Sequence, residues 1–156
     1  MKAEVILQSQ IRAIETVYNG YRFRSRLEAR WAVFFDKANI KYEYEKEGYI
    51  FSDGTKYLPD FWLPQINSWA EVKPYFLTED ERKKIYRLVD EHCTRILILV
   101  GLPSVSDTFL ALYKDENGIH SKGEKFGSSD YYTNKIIGYA ALSAKQARFE
   151  HGERGV

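Results

Sequence analysis

The spacing of apolar positions changes several times along this chain, and each change predicts an element. "AIETVYNGYRF" is strand-like on both sides of Asn19-Gly20, the dipeptide that tight hairpin turns favour, so it reads as a β-hairpin. The period then lengthens. Leu27, Trp31, Phe34, Phe35 and Ala38 recur at helical spacing, which predicts an amphipathic helix from about Ser25 to Lys37. "IKYEYEKEGYIF" returns to strand-like residues ahead of a turn at Asp53-Gly54, and "KYLPDFWLP" and "SWAEVKPYF" are the next two strand candidates. Thr78-Glu79-Asp80-Glu81 has the form of a capping box, so a helix is expected from there to about Glu91. "RILILVGLP" is nearly continuously aliphatic, as a strand covered on both faces must be. Further on, "FLALYKDENGIHSK" suggests a hairpin around Asn117-Gly118, "KGEKFGSSD" a loop, and "TNKIIGYAALSAKQARFEHGE" a terminal helix. This order predicts an α/β fold, with a central mixed β-sheet flanked by helices and a helix at the C-terminal end.

Composition narrows the class. With 156 residues, 44% of them hydrophobic and 15% aromatic, the chain reads as one globular domain over 1–156. The net charge of +1 gives no global field for a polyanion, so any basic surface must be a patch. Cys93 is the only cysteine, which excludes an intrachain disulfide and suggests a reducing, cytoplasmic compartment. His92, His120 and His151 are scattered without metal-ligand spacing and read as surface residues. "ILILVGL" is too short to span a membrane, and the N-terminal stretch, interrupted by Glu4, has no extended apolar region of the signal-peptide kind.

Two successive strand candidates carry the chemistry. Asp60 follows Pro59 in "LPDFWLP", and Glu71 and Lys73 flank Val72 in "AEVK". Strand alternation puts Ala70 and Val72 on one side and Trp69, Glu71 and Lys73 on the other, which places Glu71 and Lys73 towards a substrate instead of the core. Magnesium takes oxygen ligands, usually one or two carboxylates with waters and substrate phosphate. Asp60, Glu71 and the Val72 carbonyl can supply them, with Lys73 orienting a water or stabilising charge on a phosphate. Glu-x-Lys by itself carries no weight, since roughly 0.6 copies are expected by chance and a second copy, Glu81-Arg82-Lys83, sits in the capped helix. Joined to a preceding Pro-Asp, the pattern is expected in only about 4% of such chains. Glu28 adds a third carboxylate at the margin of the first helix's apolar stripe, although Ser25-Arg26-Leu27-Glu28 also fits a capping box.

Glu28 on a helix, Pro59-Asp60, and Glu71-Val72-Lys73, in that order, resemble the PD-(D/E)xK nuclease superfamily with its restriction-endonuclease-like fold. The resemblance spans roughly Tyr18 to Pro103, leaving 104–156 as an accessory hairpin, loop and helix. "YRFRSRLEARWAVFFD", "YLPDFWLP" and "EVKPYF" look like small nuclease-like proteins of phages and other mobile elements. The resemblance implies an Mg²⁺-dependent DNA endonuclease, with Mn²⁺ as a substitute. Asp60, Glu71 and Glu28 would then be metal ligands and Lys73 the residue that assists the water. Some exonuclease-like branches carry a Gln and a Tyr on the helix after the Lys; here Tyr86 is present without a Gln at matching spacing, so that subtype is not assigned.

The basic segment "NGYRFRSRLEARW" interleaves Arg22, Arg24 and Arg26 with Tyr21 and Phe23, and with Ser25 forms a candidate phosphate-contacting face beside Glu28. The competing reading is a solvated hairpin face paired with Glu43, Glu45 and Glu47. Lys83, Lys84 and Arg87 read as plain surface charge, and Trp31, Phe34, Phe35, Phe61 and Trp62 as core. The expected partner is double-stranded DNA. Cutting both strands of a two-fold target calls for a homodimer or a higher even oligomer, for which the terminal helix with Ala140, Ala141, Ala144 and Ala147 is the candidate contact, although core packing explains those small residues equally well. Alternatives are a nuclease-fold module that binds nucleic acid or protein without catalysis, a Holliday-junction resolvase, and RNA as substrate. A resolvase would be expected to carry more positive charge than +1.

Overall fold

The computed structural model describes residues 13–92 and 94–149. Cys93, His151, the N-terminal stretch before Ala13 and the end of the expected terminal helix lie outside the described residues.

The first hairpin pairs β1 (Thr16–Tyr18) with β2 (Tyr21–Phe23). Asn19 and Gly20 take φ of 49° and 82°, the paired positive values whose twist matches flanking strands. Helix α1 (Arg26–Lys37) follows, with Ser25 as its N-cap. Next come β3 (Glu43–Tyr44), β4 (Tyr49–Ile50), β5 (Lys56–Tyr57) and β6 (Phe61–Leu63). A single 3₁₀ turn at Pro64–Ile66 leads into β7 (Ser68–Lys73), then α2 (Glu79–His92) and β8 (Ile96–Val100). The chain ends its described part with β9 (Phe109–Asp115), β10 (Gly118–Glu124) and α3 (Tyr131–Gln146).

Six strands form the central sheet in the order β10-β9-β8-β7-β6-β3. β7 and β8 are parallel while the other neighbours are antiparallel, so the sheet is mixed, as expected. A parallel pair needs a crossover, and α2 is the connection that supplies it. The period of two decides what each face buries. Ala70, Val72, Leu97, Leu99 and Ala111 pack with α1 and α3. Trp69, Ile96, Ile98 and Leu112 pack with Ile85, Leu88 and Val89 of α2 and with Phe51. Ile96 to Leu99 are all buried, which is why that run is aliphatic without alternation.

Four local expectations change. "IKYEYEKEGYIF" is not one strand: Glu45 takes φ of 48°, which ends β3, and β4 leaves the main sheet to pair with β5. Lys122 to Glu124, expected in a loop, extend β10 because β9 offers partners up to Phe109. Trp62 is only partly buried, under a cation–π contact from Lys46 at 5.5 Å, unlike the other aromatics assigned to the core. The small-residue stripe of α3 is used within the chain. Ala140 and Ala144 have no exposure and Ala147 almost none, all in the cluster with α1, whose Arg30 Nη1 donates to the Ala144, Lys145 and Ala147 carbonyls at 2.8–3.0 Å. That stripe is therefore not available to a second copy; the outward face of α3 instead presents Tyr132, Ile136, Tyr139 and Leu142.

Candidate functional site

The antiparallel register of β6 and β7 pairs Phe61 with Ala70, and extending it one residue sets Asp60 directly opposite Glu71. Side chains opposite one another on a sheet lie ~5 Å apart, and like charges there oppose folding. Glu71 is nonetheless buried, at 4% exposure, and Asp60 beside it is partly buried. Burial first, then the charge of Glu71 and a hydrogen bond with it, then Glu28, push the Asp60 carboxyl well above the usual carboxylate range. The Val72 N–H, donating to Asp60 Oδ2 at 2.8 Å, pulls the other way without prevailing.

Glu28 comes from the first turn of α1, where it is 6% exposed. The Ser25 hydroxyl accepts from the Glu28 N–H at 3.1 Å and donates to Glu28 Oε2 at 2.8 Å. The cap therefore forms, while the carboxylate is held by hydroxyls: Tyr44 donates to Oε1 at 2.9 Å. Tyr57 likewise donates to Glu71 Oε2. Burial above all, with the Glu71 charge and hydrogen bond adding, pushes the Tyr57 phenol up, so it remains a donor at any ordinary pH.

Lys73 is half-buried at the end of β7 and pairs with Glu81, not with Glu71. The capping box predicted at the start of α2 is present: Thr78 N donates to Glu81 Oε1 at 3.0 Å and Glu81 N to Thr78 Oγ1 at 3.2 Å. The second Glu81 oxygen thus reaches back to Lys73. Burial works to lower the Lys73 pKa, but the Glu81 hydrogen bond and the charges of Glu71, Glu81 and Asp60 together raise it, so the amine stays an ammonium.

Glu28, Asp60, Val72 and Lys73 line one cavity of about 430 Å³, closed by Ser25, Leu27, Pro74 and Tyr75. Glu71 is not on its wall; it stands beside Asp60, so of the pair expected to face a substrate only Lys73 reaches the opening. Among the described residues no lysine or arginine forms an ion pair with Glu28, Asp60 or Glu71. No three acidic, histidine or cysteine side chains there are already drawn together as a metal cage. The donor set is all oxygen, which fits a hard divalent cation taking one or two carboxylates and completing its shell with water.

The arginines are less concentrated than the alternation suggested. Arg22 and Arg24 are exposed on the outer side of β2 and its continuation, but Arg22 pairs with Glu15 at 3.2 Å and Arg24 with Glu45 at 2.5 Å. Arg26 leaves that face because Ser25 starts α1 and Arg26 is its first residue. Conversely Arg82, Lys83 and Lys84, early in α2, are exposed and have no ion pair among the described residues. The roles of Tyr44, Tyr57 and Glu81 at the site are not legible in the sequence. Glu81 was visible there, but only as a helix cap; nothing in the spacing of the tyrosines distinguished them from strand residues.

No helix among the described residues is long and apolar enough to cross a membrane. Comparison with protein-family models finds none that matches this chain, and comparison with curated proteins finds no match either.

Proposed function

We propose that the protein is a metal-dependent nuclease of the PD-(D/E)xK type that hydrolyses phosphodiester bonds in DNA. One observation carries the reading: Asp60, Glu71 and Glu28 gather in and beside one cavity, with no ion-paired counter-cation among the described residues, and Lys73 lines the same cavity. A restriction-endonuclease-like core is supported by the connectivity. Glu28 lies on a helix before the sheet, Asp60 at the start of β6, Glu71 and Lys73 on its antiparallel neighbour β7, and α2 crosses to the parallel strand β8.

The residues that would hold the ion are Asp60, Glu71 and Glu28, with the Val72 carbonyl as a further oxygen. Bound there, Mg²⁺ or Mn²⁺ supplies Lewis acidity to a phosphoryl oxygen. Tyr57 and Tyr44 keep the Glu71 and Glu28 carboxylates oriented through their hydroxyls. Lys73, kept protonated beside Glu81, stabilises negative charge that builds on the phosphate and orients the attacking water. Ser25 and Arg26 lie at the start of α1, where backbone N–H groups and the helix dipole favour a phosphate. Arg22 and Arg24 can contact the backbone only by exchanging Glu15 and Glu45 for phosphates.

The test is cleavage of supercoiled plasmid with Mg²⁺ or Mn²⁺ by wild type, Asp60→Ala and Lys73→Ala, with an EDTA control. Nicking or linearisation that both substitutions and EDTA abolish is expected. Wild type inert on plasmid, junction, flap and RNA, yet binding them without metal, would instead favour a module that binds through the same fold.

A further inference from the structure

A second, larger cavity of about 560 Å³ opens beside the first, at the carboxyl ends of the parallel strands β7 and β8. We propose that it receives an unpaired base of the strand whose phosphate lies at Lys73, so that the enzyme acts on DNA that is single-stranded or locally opened; this rests on the nuclease reading above. The two cavities are neighbours by register. Lys73 pairs with Val100, and the Gly101 N–H donates to the Lys73 carbonyl at 2.8 Å, so the wall of the larger cavity stands one strand spacing, ~4.8 Å, from the lysine's backbone.

The walls suit a base better than a phosphate. Phe76, Tyr86 and Leu102 give an apolar and aromatic surface, while Arg82, Asp107 and Thr108 supply a donor, an acceptor and a group that can be either. Asp107 would repel a phosphate, whereas a neutral ring with polar edges can use both charged groups. Phe76 is the most exposed large apolar side chain among the described residues, at 88%. With Tyr75 at 49% and Tyr86 at 42%, it places three rings at the surface within one turn-and-helix segment directly after Lys73. Aromatic rings with unpaired cations form the usual platform for a single strand, because every base offers a face for stacking and the backbone remains charged. The cations are present: Arg82 is on the wall, and Lys83 and Lys84 adjoin it on α2 without ion pairs among the described residues.

The test measures binding of short oligonucleotides carrying 2-aminopurine, single-stranded or fully paired, to wild type, Phe76→Ala and Tyr86→Ala with EDTA present, so that binding is read without cleavage. Expected are quenched fluorescence on the single strand and about tenfold weaker single-strand binding by each variant, with duplex binding unchanged. Replacing the 2-aminopurine nucleotide by an abasic one should weaken wild-type binding similarly and leave the variants unaffected. Equal affinity of wild type and both variants for the single strand, or no response to the abasic site, overturns the proposal. Plasmid cleavage, scored separately, distinguishes the failures. Cleavage without an aromatic effect leaves the nuclease reading intact and removes the base pocket. An aromatic effect without cleavage on any substrate retains a base-binding groove and removes the nuclease.

Discussion

Arg87 and Lys73 are both cations set among carboxylates, in opposite proportions. Arg87 on α2 has its guanidinium shared between Asp53 at 2.7 Å and Glu91 at 3.1 Å and lies 4.8 Å from the Phe51 ring centre. The Arg87 hydrogen bond first, then those from Thr55, hold the Asp53 carboxyl far below the usual range. Every charge there has a partner, and the cluster fastens the β4–β5 hairpin to α2. Around Lys73 the balance is reversed. Three acids, Glu28 and Glu71 buried and Asp60 partly so, stand near one lysine among the described residues, and that lysine is already paired with a fourth acid, Glu81. A fold does not gain stability by burying like charges opposite one another. The difference between the two clusters separates an ion pair that holds structure from a charge excess suited to a cation.

Neutralising Asp60 should have the largest effect. Asp60→Asn keeps an oxygen for the Val72 N–H but removes a charge from the crowded pair, so cleavage should fall by more than about 10³-fold. At a pH above the raised Asp60 value, where the pair would carry two charges, the same change should raise the metal-free melting temperature by ~3 °C, since relief of roughly 1 kcal/mol moves a chain of this size by that amount. A lower melting temperature in EDTA would mean that the acids do not repel one another, and the contrast with Arg87 would collapse. Lys73→Ala comes next, with an expected loss of about 10²–10³-fold in cleavage. The Mg²⁺-dependent shift in melting temperature should survive, because the ligands remain.

Tyr57→Phe removes only the hydroxyl that orients Glu71, and metal affinity read from melting temperature against Mg²⁺ concentration should weaken by about 10–100-fold. An unchanged affinity would take Tyr57 out of the site. Next in size is a pH effect. The folded Asp60 pKa lies above its unfolded value, so its stabilising contribution is complete below about pH 4 and is lost as pH rises through the folded value. Stability in EDTA should therefore fall over that window, and the Mg²⁺-dependent gain should grow over the same window because a bound cation would compete with the Asp60 proton. The reversed trend, or the same trend in Asp60→Asn, would assign the pH dependence to another group. Arg87→Ala should do least: a small drop in melting temperature, with cleavage unchanged, as measured by parallel melts and plasmid assays.

Much of the framework could be read before any coordinates. Asn19-Gly20, the Leu27–Ala38 stripe, the Thr78–Glu81 box and the aliphatic run at β8 each locate an element, because turn chemistry, period and capping are local. The exceptions are also physical. Glu45 breaks a plausible strand through a positive φ that no pattern of polarity reveals. Lys122 to Glu124 become strand only because β9 lies alongside them. The alanines of α3 read equally well as an external contact or an internal one until α1 is seen to cover them.

The candidate site divides along the same line. Pro59-Asp60, Glu71 and Lys73 could be chosen from the sequence because their residue types, order and adjacency on two strands are written along the chain. The partners of those residues could not. That Asp60 faces Glu71 depends on the β6–β7 register, that Tyr57 reaches Glu71 depends on the course of a separate hairpin, and that Glu81 takes Lys73 depends on where α2 lands after its crossover. Hydrogen bonds and charge interactions act over a few ångströms of space, whatever the separation along the chain. The sequence alone could therefore name the acids and the lysine, while only the tertiary structure decided which of them are buried together, which one opens to the cavity, and which partner holds the lysine.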